Sequence, residues 1–321
     1  MLKILIASSI DSGAVTALQD EHDVVCAYGA KEDELISHIV DRDVLIFRSG
    51  VSVSREVMSA APNLKLLIRA GSGLDNLDLD YIRSKKIPLV RIPGPGAQAV
   101  AELTFALLLS LTRQILVADR LLRQGHWAKY ELQGHLLRGK TLGIIGAGNI
   151  GSRVGEMGVA WGMRVLGCVE HPTQEREKRL YERGIIHMEC PAILATADYV
   201  SVHVPLKDTT CNLIGEKELK MMKPGAFLLN LSRGGVVDEG ALFKALTNGG
   251  NLAGAALDVH REEGNGKISP LAGLSTVILT PHIGAMTIDS QRQIGERILE
   301  IINSFELDSS LSGVSEVHIF E

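Results

Sequence analysis

The 321-residue sequence predicts two α/β domains, each built on a doubly wound parallel sheet. Three observations carry that expectation. Short apolar runs alternate with amphipathic stretches of helical period. The alternation occurs twice, with a long helical pattern over 98–124 between the two series. A glycine-rich turn, GIIGAGNIG at Gly143 to Gly151, opens only the second series, and the length exceeds what one ordinary core needs.

The first series reads as strands at 2–7, 24–27, 44–47, 64–68 and 88–92. MLKILIAS at the start has only a short apolar run and no cleavage site, so it reads as a strand and not a signal peptide. The helical pattern that follows carries Glu102, Arg113, Asp119 and Arg120, charges a bilayer core disfavours; no membrane partner is expected. After a loop around Gly134, the second series has the GIIGAGNIG strand and further strands at 164–169, 199–203, 226–230, 253–258 and 277–279. The closing helical pattern, 287–305, can return to the first series and make that domain discontinuous. The expected division is therefore 1–97 with 287–321, and 98–286. The tail 308–321, Ser-rich and then apolar, suggests no role.

With 45% hydrophobic and 22% charged residues, the chain has an ordinary globular composition. A net charge of -5 and a pI near 6.1 argue against a nucleic-acid partner, which would call for a basic excess. Cys26, Cys168, Cys190 and Cys211 are widely spaced and form no CxxC pair, so neither a disulfide framework nor a metal site is expected. Reduced thiols suit a cytoplasmic protein.

The glycine turn has the spacing of the Rossmann dinucleotide fingerprint. Gly146 permits the tight strand-to-helix turn, Gly148 lets a pyrophosphate approach the backbone, and Gly151 lets the helix pack close to its strand. The N–H groups at the helix start then hold the phosphates. An acidic residue about twenty positions on should bond the adenosine ribose, and Glu170 lies 19 beyond Gly151. A carboxylate there favours NAD, while the neighbouring Arg176 and Lys178 leave NADP open.

Three polar clusters sit at the carboxyl ends of later strands, where open α/β sheets place their ligands. They are Arg233 in NLSRGG, the DVHREE segment from Asp258 to Glu263, and His282 in TPHIGA. Hydride transfer to or from a hydroxyl carbon needs a proton acceptor or donor, and a histidine suits both. A carboxylate such as Glu263 would fix its tautomer, and Arg233 offers a bidentate cation for a substrate carbonyl and carboxylate.

Together these segments resemble the D-isomer-specific 2-hydroxyacid dehydrogenase family, the group that includes D-3-phosphoglycerate dehydrogenases and glyoxylate/hydroxypyruvate reductases. The resemblance runs over nearly the whole chain, through RAGSGLDNLDLD at Arg69, AVAELTFALLLSLTR at Ala99, GKTLGIIGAGNIG at Gly139, SVHVPLKDTT at Ser201, NLSRGGVVDEGAL at Asn230, GAALDV at Gly254 and LTPHIGAMT at Leu279. It implies a Rossmann-type NAD-binding domain beside a discontinuous flavodoxin-like substrate domain. It also implies a catalytic Arg233, Glu263 and His282. Cofactor contacts are implied at Ser72, Asn149, Ile150, Val204, Leu231, Ser232, Asp258 and the turn from His282 through Gly284 to Ala285. The Ser72 and Gly73 amides are implied to grip a substrate carboxylate across an interdomain cleft that closes near Gln98 and Thr287. A homodimer is expected from the same resemblance, with the 97–124 segment contributing.

The chain departs from the family pattern in three places. The usual ribose-binding aspartate aligns with Val169, one residue before Glu170; RIPGPGAQ lacks an asparagine near Gly96; and HREEGNGK replaces the usual aromatic, proline-containing glutamate loop. Glu263 is kept, which speaks against a formate dehydrogenase.

For the substrate, Arg48 and Arg69 end strands and Lys129 follows Trp127 in the loop before the nucleotide strand. Similar positions in 3-phosphoglycerate dehydrogenases are basic, which suggests a small 2-oxo or 2-hydroxy acid with a second anionic group: phosphate, phosphonate, sulfonate or carboxylate. Alternatives are an NADPH-preferring glyoxylate/hydroxypyruvate reductase and a non-catalytic NAD(H)-sensing protein of the same fold. A methyltransferase would not explain the C-terminal Arg, Glu and His.

Overall fold

The computed structural model describes residues 1–247, 249–308 and 317–318. In chain order the elements are β1 (Lys3–Ile6), α1 (Ser12–Glu21), β2 (Asp23–Cys26), α2 (Glu32–Ile39), β3 (Val44–Phe47), α3 (Arg55–Ser59), β4 (Leu66–Arg69), α4 (Leu79–Lys85), β5 (Leu89–Arg91), α5 (Gly94–Thr112) and α6 (Ile115–Arg123). There follow β6 (Thr141–Ile145), α7 (Asn149–Ala160), β7 (Arg164–Cys168), α8 (Gln174–Glu182), β8 (Ile185–His187), α9 (Cys190–Thr196), β9 (Tyr199–Val202), α10 (Glu216–Met221), β10 (Ala226–Asn230), α11 (Glu239–Leu246), β11 (Leu252–Leu257), β12 (Val277–Leu279), α12 (Ile288–Leu307) and β13 (Val317–His318). They fall into two compact units, residues 1–96 with 285–321, and residues 97–284.

The first unit holds a 6-stranded sheet in the order β2-β1-β3-β4-β5-β13. Its first five strands are parallel and follow the flavodoxin-like order 2-1-3-4-5; β13 closes the edge antiparallel to β5, with Val317 opposite Val90. Alternate residues of each strand serve opposite faces. Ile4, Ile6, Ile46 and Ile68 pack with Ile294, Ile298, Ile301 and Phe305 of α12. Leu5, Leu45, Phe47 and Leu67 pack with Leu35, Ile39, Val57 and Met58 of α2 and α3. Burial on both faces is why these strands read as continuous apolar runs.

The second unit holds a 7-stranded parallel sheet in the order β8-β7-β6-β9-β10-β11-β12. Its first six positions in chain order give the Rossmann pattern 3-2-1-4-5-6, whose topological switch lies between β6 and β9. The glycine turn leaves β6, so the fingerprint stands at that switch.

Two expectations change. The helical pattern over 98–124 is two helices: α5 begins earlier, at Gly94, and Gln114 breaks the run with a left-handed backbone, φ 53°. The Gly134 turn packs there, so close that a Cβ on Gly134 would lie 2.7 Å from the Thr112 carbonyl. Strand β8 was not anticipated, because three residues at a sheet edge carry too little periodic signal. Helix α5 is long and apolar enough to cross a membrane by length and composition, and its buried Ala101, Phe105, Leu108 and Leu111 make it a core helix of the unit.

Candidate active site

The nucleotide turn is built for a ligand. Gly146 has φ 93°, and a Cβ there would lie 2.6 Å from the His203 carbonyl oxygen. Beside Gly148, by contrast, a Cβ would meet nothing within 4 Å, which leaves the backbone open to a bulky anion. The Gly146 and Ala147 N–H groups donate to Cys168 O (3.1 and 2.8 Å), tying the turn to the end of β7. The first N–H groups of α7, at Asn149, Ile150 and Gly151, have no acceptor within their helix, as helix geometry dictates. The turn and the start of α7 border a cavity of about 850 Å³ lined by Gly146, Gly148, Asn149, Cys168, Val169, Glu170, Arg176, Cys190, His203 and Val204. These features fit a dinucleotide, with phosphates on the α7 amides and the adenosine ribose toward Glu170.

Glu170 is exposed and bonded to Lys207 Nζ at 2.9 Å, and that bond holds its carboxyl below the usual range. Arg176 donates to His171 O at 3.0 Å. His203, half-buried beside that cavity, bonds Ser201 Oγ at 2.8 Å, and desolvation lowers it to about 4, so the ring is neutral near pH 7.

Arg233, Glu263 and His282 follow β10, β11 and β12, three adjacent strands of one sheet, at their carboxyl ends. His282 Nδ1 and Glu263 Oε2 are 2.8 Å apart. Burial would raise the Glu263 carboxyl, but the bonds from His282 and from the His260 N–H outweigh it and hold it below the usual range. With Nδ1 donating to a carboxylate, Nε2 is the position left to exchange a proton. Arg233 Nη1 donates to Ser232 O at 2.7 Å, and Asn230 ties the same loop through Ser232 N, Ser232 Oγ and Arg233 O. The Arg233 and Glu263 loops run against each other at Gly234, where a Cβ would lie 1.8 Å from His260 O. Only glycine allows that approach.

His282 has φ 54°, a left-handed backbone that a side-chain-bearing residue adopts at a cost. Asp258, almost fully buried, holds it there. Its carbonyl accepts from His282 N (2.8 Å), Oδ1 from Thr280 Oγ1 (2.6 Å) and Ile283 N (2.9 Å), and Oδ2 from Gly284 N (2.8 Å). Both carboxylate oxygens are thus committed to the turn. Buried Glu239 does similar work for the glutamate loop, accepting from Arg261 N (2.6 Å) and Ser269 Oγ (3.2 Å). Leu231 and Ser232 are buried in the loop after β10.

In the first unit, Arg48, Arg69 and Arg91 stand at the carboxyl ends of β3, β4 and β5, with Phe47 opposite Arg69 and Arg69 opposite Arg91. Arg48 Nη1 donates to Gln291 Oε1 at 2.8 Å. Arg69 is buried, and its Nε donates to Gly73 O at 2.8 Å, so it buttresses the Ser72–Gly73 loop from beneath. Arg91 Nη1 reaches Ser72 O at 3.4 Å. Among the described residues, neither Arg48 nor Arg91 has a carboxylate within 4.0 Å. Lys129, in the second unit, is exposed, with its Nζ over the Tyr130 ring at 5.2 Å. Ala285 begins the returning segment of the first unit.

Residues 105–284 match the D-isomer specific 2-hydroxyacid dehydrogenase, NAD binding domain. The chain belongs to that family. It is 37% identical over 302 residues to D-3-phosphoglycerate dehydrogenase of Methanocaldococcus jannaschii, covering 94% of this chain and 57% of that protein. The chain therefore spans little more than half of that relative. A hydroxypyruvate reductase of Thermotoga maritima is 34% identical over 303 residues, covering 94% of this chain and 97% of that enzyme. Among solved structures, D-lactate dehydrogenase of Aquifex aeolicus, complexed with NAD and lactic acid, superposes with a TM-score of 0.87 at 28% identity and 99% coverage of both chains.

Within this family member, the glycine turn, Arg233, Glu263 and His282 all lie in the matched NAD binding domain. Sequence reasoning passed over Glu239 and Arg91, and it read Asp258 only as a cofactor contact. Arg91 offered a signal, since it ends a strand as Arg69 does. Glu239 looked like an ordinary first-turn acid of α11.

Proposed function

We propose that this chain is an NAD(H)-dependent oxidoreductase that interconverts a 2-oxo acid and a D-2-hydroxy acid carrying a second anionic group. The 2.8 Å bond between His282 Nδ1 and Glu263 Oε2, on the sheet that carries the dinucleotide turn, supports this reading most directly. The nicotinamide supplies or accepts the hydride. His282 gives a proton to the nascent hydroxyl during reduction and removes it during oxidation. Glu263 fixes the tautomer and stabilises the charged ring. Arg233 polarises the carbonyl and pairs with the substrate carboxylate, to which the Ser72 and Gly73 amides also donate.

The second anion is supported by three guanidinium groups on adjacent strand ends, two of them without a carboxylate partner among the described residues. In this reading Arg48 and Arg91 meet the anion, Lys129 adds to the positive field, and Arg69 shapes the loop that binds the carboxylate. NAD is preferred, because Glu170 would repel a 2′-phosphate; Lys207 and Arg176 temper that preference without reversing it. The working form is a cytoplasmic homodimer. Helix α6 buries none of its residues, and Ile115 and Leu122, seven apart and so on one face, are 46% and 59% exposed.

Mixing the protein with NADH or NADPH and a panel of 2-oxo acids, while following absorbance of the reduced cofactor, tests activity, cofactor and substrate together. Turnover with NADH on anionic-tailed acids is expected. NADH binding without turnover on any acid would favour the sensor. If pyruvate outperforms every tailed analogue in kcat/KM and neither Arg48→Ala nor Arg91→Ala changes the ranking, the second anion is wrong.

A further inference from the structure

Two of the four cysteines, separated by 22 positions in sequence, meet in the fold. Cys168 is the last residue of β7 and Cys190 the first of α9. Met188 N donates to Gly167 O at 3.1 Å, which draws the lead-in to α9 alongside the end of β7. Both thiols are half-buried, pack against the same hydrophobic cluster, and line the cavity that also holds Gly146, Gly148 and Glu170. Cys26 and Cys211 are exposed and lie outside that cavity.

We propose that Cys168 and Cys190 form a peroxide-oxidisable dithiol whose disulfide weakens nucleotide binding in the adjoining cavity. The gate rests on reading that cavity as the NAD site. The neighbouring Cys190 thiol holds Cys168 down at about 7 against the opposing effect of burial, which favours the thiolate as the attacking form. The neighbouring Cys168, and then burial, push Cys190 up, which casts it as the resolving thiol. The Cys168 thiolate attacks one oxygen of a hydroperoxide, breaking the O–O bond. This leaves a sulfenic acid on Cys168 and releases the alcohol, or water from hydrogen peroxide. The Cys190 sulfur then displaces the sulfenic hydroxyl, which leaves as water with the Cys190 proton. In sum, two thiols and one hydroperoxide give one disulfide, one alcohol and one water.

The physical link to the nucleotide is the Cys168 carbonyl, because Gly146 N and Ala147 N both donate to it. A disulfide demands a fixed separation and dihedral of its two Cβ atoms, so closing it repositions Cys168 and the phosphate turn hung from it. A nucleotide already in the cavity should shield both thiols.

The test treats the ligand-free protein with hydrogen peroxide, maps its peptides by non-reducing mass spectrometry, and titrates NADH by fluorescence. A Cys168–Cys190 peptide is expected, with the Kd for NADH raised about tenfold or more and restored by dithiothreitol. NADH added first should slow the oxidation. Cys168→Ser and Cys190→Ser should each abolish the shift relative to their own untreated controls, while Cys26→Ser/Cys211→Ser should keep it. Absence of the linked peptide overturns the modification site, and a linked peptide with unaltered Kd overturns the gate alone. Failure of the untreated protein to bind NADH overturns the cavity reading and the gate with it.

Discussion

At the scale of single residues, the site depends on a histidine in a backbone conformation it would not choose alone. The Asp258 carboxylate and carbonyl receive the donors of the His282 turn, and that network holds φ at 54°. Replacing His282 by Ala should lower kcat by roughly 10²- to 10⁴-fold, the usual contribution of a general acid-base, while NADH titration still shows binding. A near-wild-type kcat would remove His282 from the mechanism. Asp258→Asn sets an NH2 against one of the turn's donors, an unmet buried group costing about 1–3 kcal/mol. Its expected signature is a lower Tm together with a lower kcat and a shifted pH-rate profile. Loss of Tm alone would make Asp258 a stability residue only.

At the scale of elements, the two sheets share a device at the strand beside the switch point. Asp43, just before β3, accepts from Lys3 N (2.9 Å) and Lys65 Nζ (2.8 Å). Asp198, just before β9, accepts from Thr141 N (2.9 Å) and Lys223 Nζ (2.6 Å). In both, burial would raise the carboxyl, but the lysine and backbone bonds win and lower it. A carboxyl lowered on folding contributes stability above its unfolded pKa, and loses it as pH falls through the folded value. Asp198→Asn should therefore reduce stability at pH 7 by about 1 kcal/mol, near 2–4 °C in Tm. It should also flatten the fall in Tm below about pH 4. A Tm–pH curve parallel to that of the wild type, seen by circular dichroism, would count against the device.

At the scale of the whole molecule, the exposed face of α6 is the feature a lone chain leaves unexplained. Burying Ile115 and Leu122 against a second copy removes apolar area from water, and a charge at each site opposes that burial. Sedimentation equilibrium should give twice the 34.6 kDa chain mass for the wild type and a value near 34.6 kDa for Ile115→Asp/Leu122→Asp. A wild-type protein sedimenting as a monomer would end the dimer proposal.

The sequence by itself determined the two α/β series, because strands buried on both faces must be runs of apolar residues and the helices between them must be amphipathic. It also placed the dinucleotide turn and the strand ends carrying Arg233 and His282, since those signals are local. Edge strand β8 and the break at Gln114 were too short or too conformational to show a period. Only the tertiary structure decided what meets across sequence distance. It brought Glu263, named from a charged loop without periodicity as the histidine's carboxylate, to 2.8 Å from His282. It buried Arg69 beneath the Ser72–Gly73 loop and lined Arg91 up beside it. It turned Asp258 into the support of a turn 24 residues away, and set Cys168 against Cys190. The reason is physical: periodicity records which side of an element is buried, whereas a polar contact depends on strand order, which parallel crossovers establish only when the sheet assembles.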